Sequence, residues 1–230
     1  MKQNVVEAVF TEDKVKKYYS WRASNYDAGS GFEIGPHAEA LKLANVQKSQ
    51  HVLDVACGTG RGTVGLAQAV GSAGKVDAMD LSEAMLAQAR SKIDSLGLGH
   101  QVEFKQGNAR ELPYPDGTFD MLYNGYMFDL IPIDGFMPIL KEMVRVLKPG
   151  GKLVLLNMSK PNARRTWFET VYEKLKFEPC RPVLMSPYLE AAGFIDIRRV
   201  YQPTRGSIVA LLWGQEIVLA QKPGKPASNK

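Results

Sequence analysis

The sequence predicts an α/β fold, a mostly parallel sheet with helices on both faces, and three observations carry that expectation. Between residues 51 and 158, short aliphatic and β-branched runs alternate with longer amphipathic stretches, the pattern of repeated strand and helix crossovers. The first of these runs, Val52-Leu53-Asp54-Val55-Ala56, leads into the glycine-rich turn Cys57-Gly58-Thr59-Gly60-Arg61-Gly62, which opens a helix. A chain of 230 residues, 45% hydrophobic and 23% charged, suits one globular domain rather than two separate cores.

Taken in order, residues 11–26 read as a helix rich in aromatics: Tyr18, Tyr19, Trp21 and Tyr26. Residues 51–56, 75–79, 102–106, 119–124 and 152–158 read as strands, each short and mostly β-branched or aliphatic. The helix over 82–96 sets Met85, Leu86, Ala89 and Ile93 on one stripe, with Ser82 as N-cap, Glu83 in the first turn and Gly97 just past the end. Over 134–147, Phe136, Ile139, Leu140, Met143, Val144 and Leu147 follow helical spacing. Pro138 falls in the first turn, where it is tolerated, and Pro149-Gly150-Gly151 is expected to stop this helix before the next strand. Residues 163–177 read as a further helix outside the alternation.

That helix and the N-terminal one are expected to close over the sheet's active edge. Tyr18, Tyr19, Trp21, Tyr26 and Phe32 would face the ligand from one side, and Trp167, Phe168, Tyr172, Leu175 and Phe177 from the other. The single domain 1–230 then divides into an N-terminal helical lid (1–45), a core (46–158), a helical cap insertion (159–190), C-terminal strands (191–221) and a disordered tail (222–230) rich in Pro, Gly, Ser and Lys.

Composition excludes several function classes. Charges at Lys2, Glu7, Glu12, Asp13 and Lys14 break up any secretory apolar core, and no apolar run approaches the roughly 20 residues that span a bilayer. Cys57 and Cys180, the only cysteines, make neither a disulfide framework nor a metal site, which points to a reducing cytoplasm. The net charge is +5, and late basic residues such as Lys160, Arg164, Arg165, Arg181 and Arg199 interleave with Glu169, Glu173, Glu178, Glu190 and Asp196. The expectation is a solvated face of mixed charge, with no motif for nucleic acid beside it.

The chemistry gathers around the glycine-rich turn. Glycine is needed where the backbone turns tightly or a ligand lies against it, so a nucleotide-like ligand is expected at the carboxyl end of the first strand. Nicotinamide and flavin proteins use G-x-G-x-x-G in the same place; here Gly58 and Gly60 match, but the third position is Thr63. Asp80 follows the second strand, where a carboxylate accepts from both ribose hydroxyls of an adenosine. Its spacing from Gly58 also suits NAD, so it does not decide the cofactor.

Five ordered blocks do: Asp54-Val-Ala-Cys-Gly-Thr-Gly60, Asp80-Leu-Ser-Glu-Ala-Met85-Leu-Ala-Gln-Ala-Arg90, Gly107-Asn-Ala109, Leu112-Pro-Tyr-Pro-Asp-Gly-Thr-Phe-Asp120 and Leu147-Lys-Pro-Gly-Gly151. Together they resemble the class I methyltransferases that use S-adenosylmethionine (SAM), in the UbiE/COQ5-like branch, whose named members methylate quinone precursors. The resemblance implies a Rossmann-like fold with a seven-stranded sheet, and SAM as cofactor. It implies methionine and backbone contacts at Ala56, Gly58 and Gly60, with Asp54 holding the loop and Asp80 the ribose. Leu81 and Met85 would pack on the adenine, Asn108 and Ala109 would meet its polar edge, and residues 124–126, Asn124 first, would line the space toward the acceptor. Tyr19 and Tyr26 match an N-terminal aromatic lid. The usual first loop glycine is Ala56 here, and the family's frequent Asp is Asn108.

The implied activity is methyl transfer to a small, apolar or amphiphilic acceptor, quinone-like or another small molecule drawn from a membrane. The alternatives are N-methylation of a phospholipid or amine, and a catalytically silent SAM-binding protein. His37, near the expected lid, is a candidate base, and Tyr126 and Asp129, which follow the fourth strand, are candidates for touching the acceptor. No metal ligands are expected. Cys57 sits where the turn needs a small residue and has no His nearby in sequence to activate it.

Overall fold

The computed structural model describes residues 5–175, 180–203 and 214–224. Before the sheet come α1 (Glu12–Arg22), α2 (Tyr26–Gly29) and α3 (Ile34–Ala44). The sheet elements are β1 (His51–Val55), α4 (Arg61–Val70), β2 (Lys75–Asp80), α5 (Glu83–Ser95), β3 (Val102–Gln106), β4 (Phe119–Gly125), α6 (Phe136–Val146) and β5 (Leu147–Ser159). After them come α7 (Trp167–Leu175), α8 (Ser186–Ala191), β6 (Ile195–Pro203) and β7 (Gly214–Gln221).

One seven-stranded sheet runs in the order β3-β2-β1-β4-β5-β7-β6. The first five strands are parallel, and β7 lies antiparallel between β5 and β6. Alternation along each strand feeds two apolar layers. Leu53, Val55 and Leu122 face the layer of α6 and α8, while Val52, Met121 and Tyr123 face that of α3 and α4. This is the Rossmann-like arrangement the sequence predicts.

Local chemistry explains most boundaries. Thr11 Oγ1 accepts from Lys14 N–H at 3.5 Å to start α1, and Ser82 Oγ accepts from Met85 N–H at 3.3 Å to start α5. The helix expected over 11–26 instead ends at Arg22 and continues as a 3₁₀ turn, Ala23–Asn25, before α2. The helix expected over 163–177 begins at Trp167. Pro149-Gly150-Gly151 is not a spacer between helix and strand. Leu147 already pairs with Phe119, Lys152 pairs with Met121, and the residues between bulge out of register, with Gly150 at φ 78°.

Several late charges expected in solvent are buried. Lys160 Nζ meets Glu169 Oε1 at 2.5 Å, both side chains almost fully enclosed. Arg181, also fully buried, donates to the carbonyls of Val6 and Ile131 at 2.6 Å each, so it staples the N-terminal segment to the loop after β4. Glu216 accepts from Ser159 Oγ, Met185 N–H and Arg199 Nε beneath the edge of the sheet. The expected tail beyond residue 224, all of Phe177, and the side chains of Trp167, Phe168 and Leu175 lie outside the described residues.

Candidate active site

The strand order reverses between β1 and β4, which leaves a crevice at their carboxyl ends, where open α/β sheets bind ligands. A cleft open at its mouth occupies that place.

At one end, alternation along β1 turns Asp54 toward α4, where Thr63 Oγ1 donates to it at 2.7 Å. Burial pushes Asp54 up to about 7; the Thr63 bond opposes the rise and the Asp80 charge adds to it. Asp54 and Ala56 both line the cleft. Ala56 holds φ 57°, a left-handed conformation that costs an L-residue about 1–2 kcal/mol. At Gly58 (φ 55°) an added Cβ would meet nothing within 4 Å, so the bare backbone faces open cleft. Gly60 is different. A Cβ there would sit 3.0 Å from that of Ala89, so this glycine serves the packing of the turn on α5. Gly60 does not line the cleft, contrary to expectation, whereas Gly62 does.

Asp80 ends β2 with Oδ2 accepting from Gly58 N–H at 2.9 Å and Oδ1 from Ser82 N–H at 2.8 Å. The carboxylate thus ties two turns together and keeps a lone pair on each oxygen for a ligand. Burial raises its pKa, and these amide bonds oppose the rise. Leu81, Met85, Asn108 and Ala109 line the same end. Asn108 Oδ1 already accepts from Arg110 N–H at 2.9 Å, which leaves its Nδ2 hydrogens and one lone pair for an adenine edge.

At the other end, β4 meets the N-terminal helices. His37 Nδ1 lies 2.7 Å from Tyr123 Oη, and burial lowers the ring's pKa to about 4, with the charges of Arg61 and Lys92 adding to the fall. The imidazole is therefore neutral at pH 7. Tyr126 holds φ 58°, a rare conformation for a bulky residue, with its N–H donating to the Leu156 carbonyl at 2.7 Å. The hydroxyl of Tyr126 is buried with no partner among the described residues. Tyr19 and Tyr26 pack with ring centroids 5.8 Å apart, and Tyr26 Oη donates to Glu33 Oε1 at 2.8 Å. Tyr19, Tyr26, Glu33, His37 and Tyr126 all line the cleft.

Asn124 and Asp129 lie apart from it. Alternation along β4 turns Asn124 away from the Tyr123 face; its Nδ2 donates to the Val55 carbonyl at 2.6 Å, and it does not line the cleft. Asp129 is buried, accepts from Met158 N–H at 3.4 Å, and is pushed by burial up to about 7. It neither lines the cleft nor caps a helix. Burial likewise pushes the Cys57 thiol up, which leaves no activated nucleophile there.

The N-terminal helices are tied to the cleft-lining Thr59, Arg61 and Ser82 and to Lys92 and Arg110. Asp27 Oδ1 accepts from Thr59 Oγ1 at 2.7 Å, and its Oδ2 accepts from Lys92 Nζ at 2.5 Å. Arg61 Nη2 reaches Asp27 Oδ1 at 3.3 Å and Ser30 Oγ at 2.9 Å. Ser20 Oγ pairs with Ser82 Oγ at 2.8 Å, and Arg110 Nε donates to Glu12 at 2.5 Å. Sequence reasoning missed Asp27 and Glu33. The spacing of Glu33 and His37, four apart at the start of a helix, would have placed both on one face. Trp21 and Phe32, expected to face the ligand, are 80% and 63% exposed.

Comparison with known proteins agrees with this geometry. The solved SAM-dependent methyltransferase from Aquifex aeolicus is 25% identical with a TM-score of 0.66, covering 88% of this chain and 98% of that one. The [4+2]-cyclase SpnF superposes with a TM-score of 0.74 at 21% identity over 95% of this chain and 99% of that one, a likeness of fold alone. The demethylmenaquinone methyltransferase of Listeria welshimeri is 40% identical over 156 residues, 66% of this chain and 65% of that protein. That of Bacillus mycoides is 47% identical over 123 residues, 54% of this chain and 51% of that protein. The chain therefore spans under two thirds of the length of these relatives. The model of the ubiE/COQ5 methyltransferase family matches residues 7–184, most of the chain, and the chain belongs to that family.

Proposed function

We propose that this protein is an enzyme that methylates a small amphiphilic acceptor of the quinol type, using SAM as donor. The observation that carries the reading is the division of one cleft into two chemically different ends. The end at β2 offers Asp80, the bare backbone of Gly58 and the apolar Leu81 and Met85, a set that fits an adenosine and its methionine arm. The end at β4 offers four tyrosines, a neutral histidine and the Glu33 carboxylate, a set that fits a ring with hydroxyl groups. The demethylmenaquinone methyltransferases among the relatives support the acceptor class.

SAM supplies an electrophilic methyl group on a sulfonium when bound. The chain's own residues bind, orient and exclude water. Asp80 would hold the ribose hydroxyls, Leu81 and Met85 the adenine faces, and Gly58 the methionine arm. Tyr19 and Tyr26 would cover the reacting centre from above, and Tyr126 with His37 would align the acceptor from the β4 side.

An amine acceptor is the second reading, favoured by the carboxylate of Glu33 among tyrosines. No helix among the described residues is long and apolar enough to cross a membrane. The exposed Trp21, Phe32 and Ile34 suit a cytoplasmic protein that meets its acceptor at a membrane surface. Incubation with methyl-labelled SAM and separate lipid and polar extracts tests the reading. Label in a lipid-soluble product together with S-adenosylhomocysteine (SAH) supports it; label in polar amines alone favours the second reading; SAH bound without turnover marks a silent binder.

A further inference from the structure

Glu33 is an acid in an unusual place. It is 6% exposed, between Phe32 and Ile34, which are 63% and 61% exposed, so the chain turns its carboxylate inward and its apolar neighbours outward. Burying an ionisable group against the trend of its surroundings is costly, and such groups are normally paired. Among the described residues Glu33 makes no salt bridge, and the neutral hydroxyl of Tyr26, 2.8 Å from Oε1, is its hydrogen-bond partner. The group lines the cleft at the β4 end, one helical turn before His37, whose ring is fixed by Tyr123 and lies against Gly125. Along the sheet, β1 separates this corner from the Asp80 end.

We propose that Glu33, oriented by Tyr26, is the catalytic base that removes the acceptor's hydroxyl proton. This rests on the quinol-type reading above. In the step, Glu33 Oε2 takes the proton from an acceptor hydroxyl, and the electron pair left on oxygen delocalises into the ring. The ring carbon forms a bond to the methyl carbon as the C–S bond of the sulfonium breaks, its pair staying on sulfur. Glu33 then returns the proton to the acceptor oxygen while the hydrogen on the methylated ring carbon leaves as a proton to water, restoring the aromatic ring. One proton is released overall.

The electrostatics suit a base. Burial raises the pKa of Glu33, opposed by the Tyr26 bond, which brings it toward the working pH. Facing it are Arg22 from α1, Tyr26 and Asp27 from α2, and Arg61 from α4. Tyr123, Tyr126 and Asp129 face it from β4 and the loop that follows. The aromatic groups remain neutral, because burial pushes the Tyr26, Tyr123 and Tyr126 hydroxyls up.

The test compares wild type, Glu33→Gln and Tyr26→Phe with a short-chain naphthoquinol acceptor, together with calorimetric titration of SAH. Glu33→Gln is expected to lower kcat by about 10²–10⁴-fold and to abolish the acid limb of the pH profile, with SAH affinity unchanged. Tyr26→Phe removes a bond that favours the carboxylate, so its acid limb should move to higher pH, a shift that a merely structural role would not produce. Should Glu33→Gln fold poorly, the direction of the Tyr26→Phe shift decides. A folded Glu33→Gln with wild-type kcat and pH profile overturns the proposal. Lost SAH affinity at unchanged kcat does so too, making the carboxylate a cofactor ligand. Wild-type protein inactive on the quinol while methylating an amine overturns the acceptor reading itself, a failure distinct from either.

Discussion

Replacing Asp27 by alanine removes the carboxylate that Thr59, Arg61 and Lys92 share, and with it the densest tie between the N-terminal helices and the cleft. The two ion pairs are partly exposed, with side-chain exposures of 44% at Asp27, 29% at Lys92 and 17% at Arg61, so each is worth only about 0.2–1 kcal/mol after solvent screening. The bond from Thr59 to a charged acceptor adds about 1.5 kcal/mol. Together they favour the closed arrangement by about 2–3 kcal/mol, roughly 30- to 150-fold. Hydrogen exchange should show the amides of α1 and α2 opening faster by about that factor, with β1, β4 and β5 unchanged. Methyl transfer should fall in kcat/KM in parallel. Burial alone would raise the pKa of Asp27, but the hydrogen bonds from Lys92 and Thr59 and the charges of Lys92 and Arg61 hold it below the ordinary carboxylate value. Its contribution is therefore complete above about pH 4 and lost as pH falls through the depressed value, so wild type and variant should differ by a constant factor between pH 5 and 8. Unchanged exchange in α1 and α2 would refute the assignment of Asp27 as a latch.

Other substitutions separate ligand binding from packing. Asp80→Asn should weaken SAH binding about ten- to hundredfold by calorimetry, from the loss of charge-assisted bonds worth about 1.5–3 kcal/mol, while circular dichroism stays near wild type. Gly60→Val should act on the fold instead. The contact with Ala89 and the left-handed backbone predict a loss of about 2–5 kcal/mol, read as a lower Tm. Arg181→Met leaves the carbonyls of Val6 and Ile131 without their donor and should cost about 3 kcal/mol or more in thermal unfolding.

The parallel half of the sheet was legible because each strand carries its own apolar alternation and each helix its own stripe and cap, all local signals. That Gly58, Asp80 and Leu81 line one end of the cleft was legible for the same reason, since they lie in contiguous motifs. Gly60's place outside the cleft lining was not legible, because a glycine that admits a ligand and one that admits a neighbouring helix look alike in sequence, and the Ala89 contact comes from 29 residues away. Asn124 follows Tyr123 on one strand, and a single step of alternation sends the two to opposite faces. The β4 end was the least legible. Phe32 was expected to face the ligand, but the 3₁₀ turn Gly31–Glu33 before α3 leaves it exposed and turns Glu33 inward. Lys160, Glu169 and Arg181 read as surface charges because their partners come from other segments.

In the proposed function, one cleft holds SAM at the Asp80 end and a quinol-type ring at the β4 end. Single-turnover methylation of a demethylated naphthoquinol by methyl-labelled SAM tests it, with the product separated and the position of the label assigned. The prediction is stoichiometric SAH and label on a ring carbon, with Asp80→Asn raising the SAM concentration needed by about tenfold or more. Tight SAH binding with no label on the quinol, or label unaffected by Asp80→Asn, would contradict it.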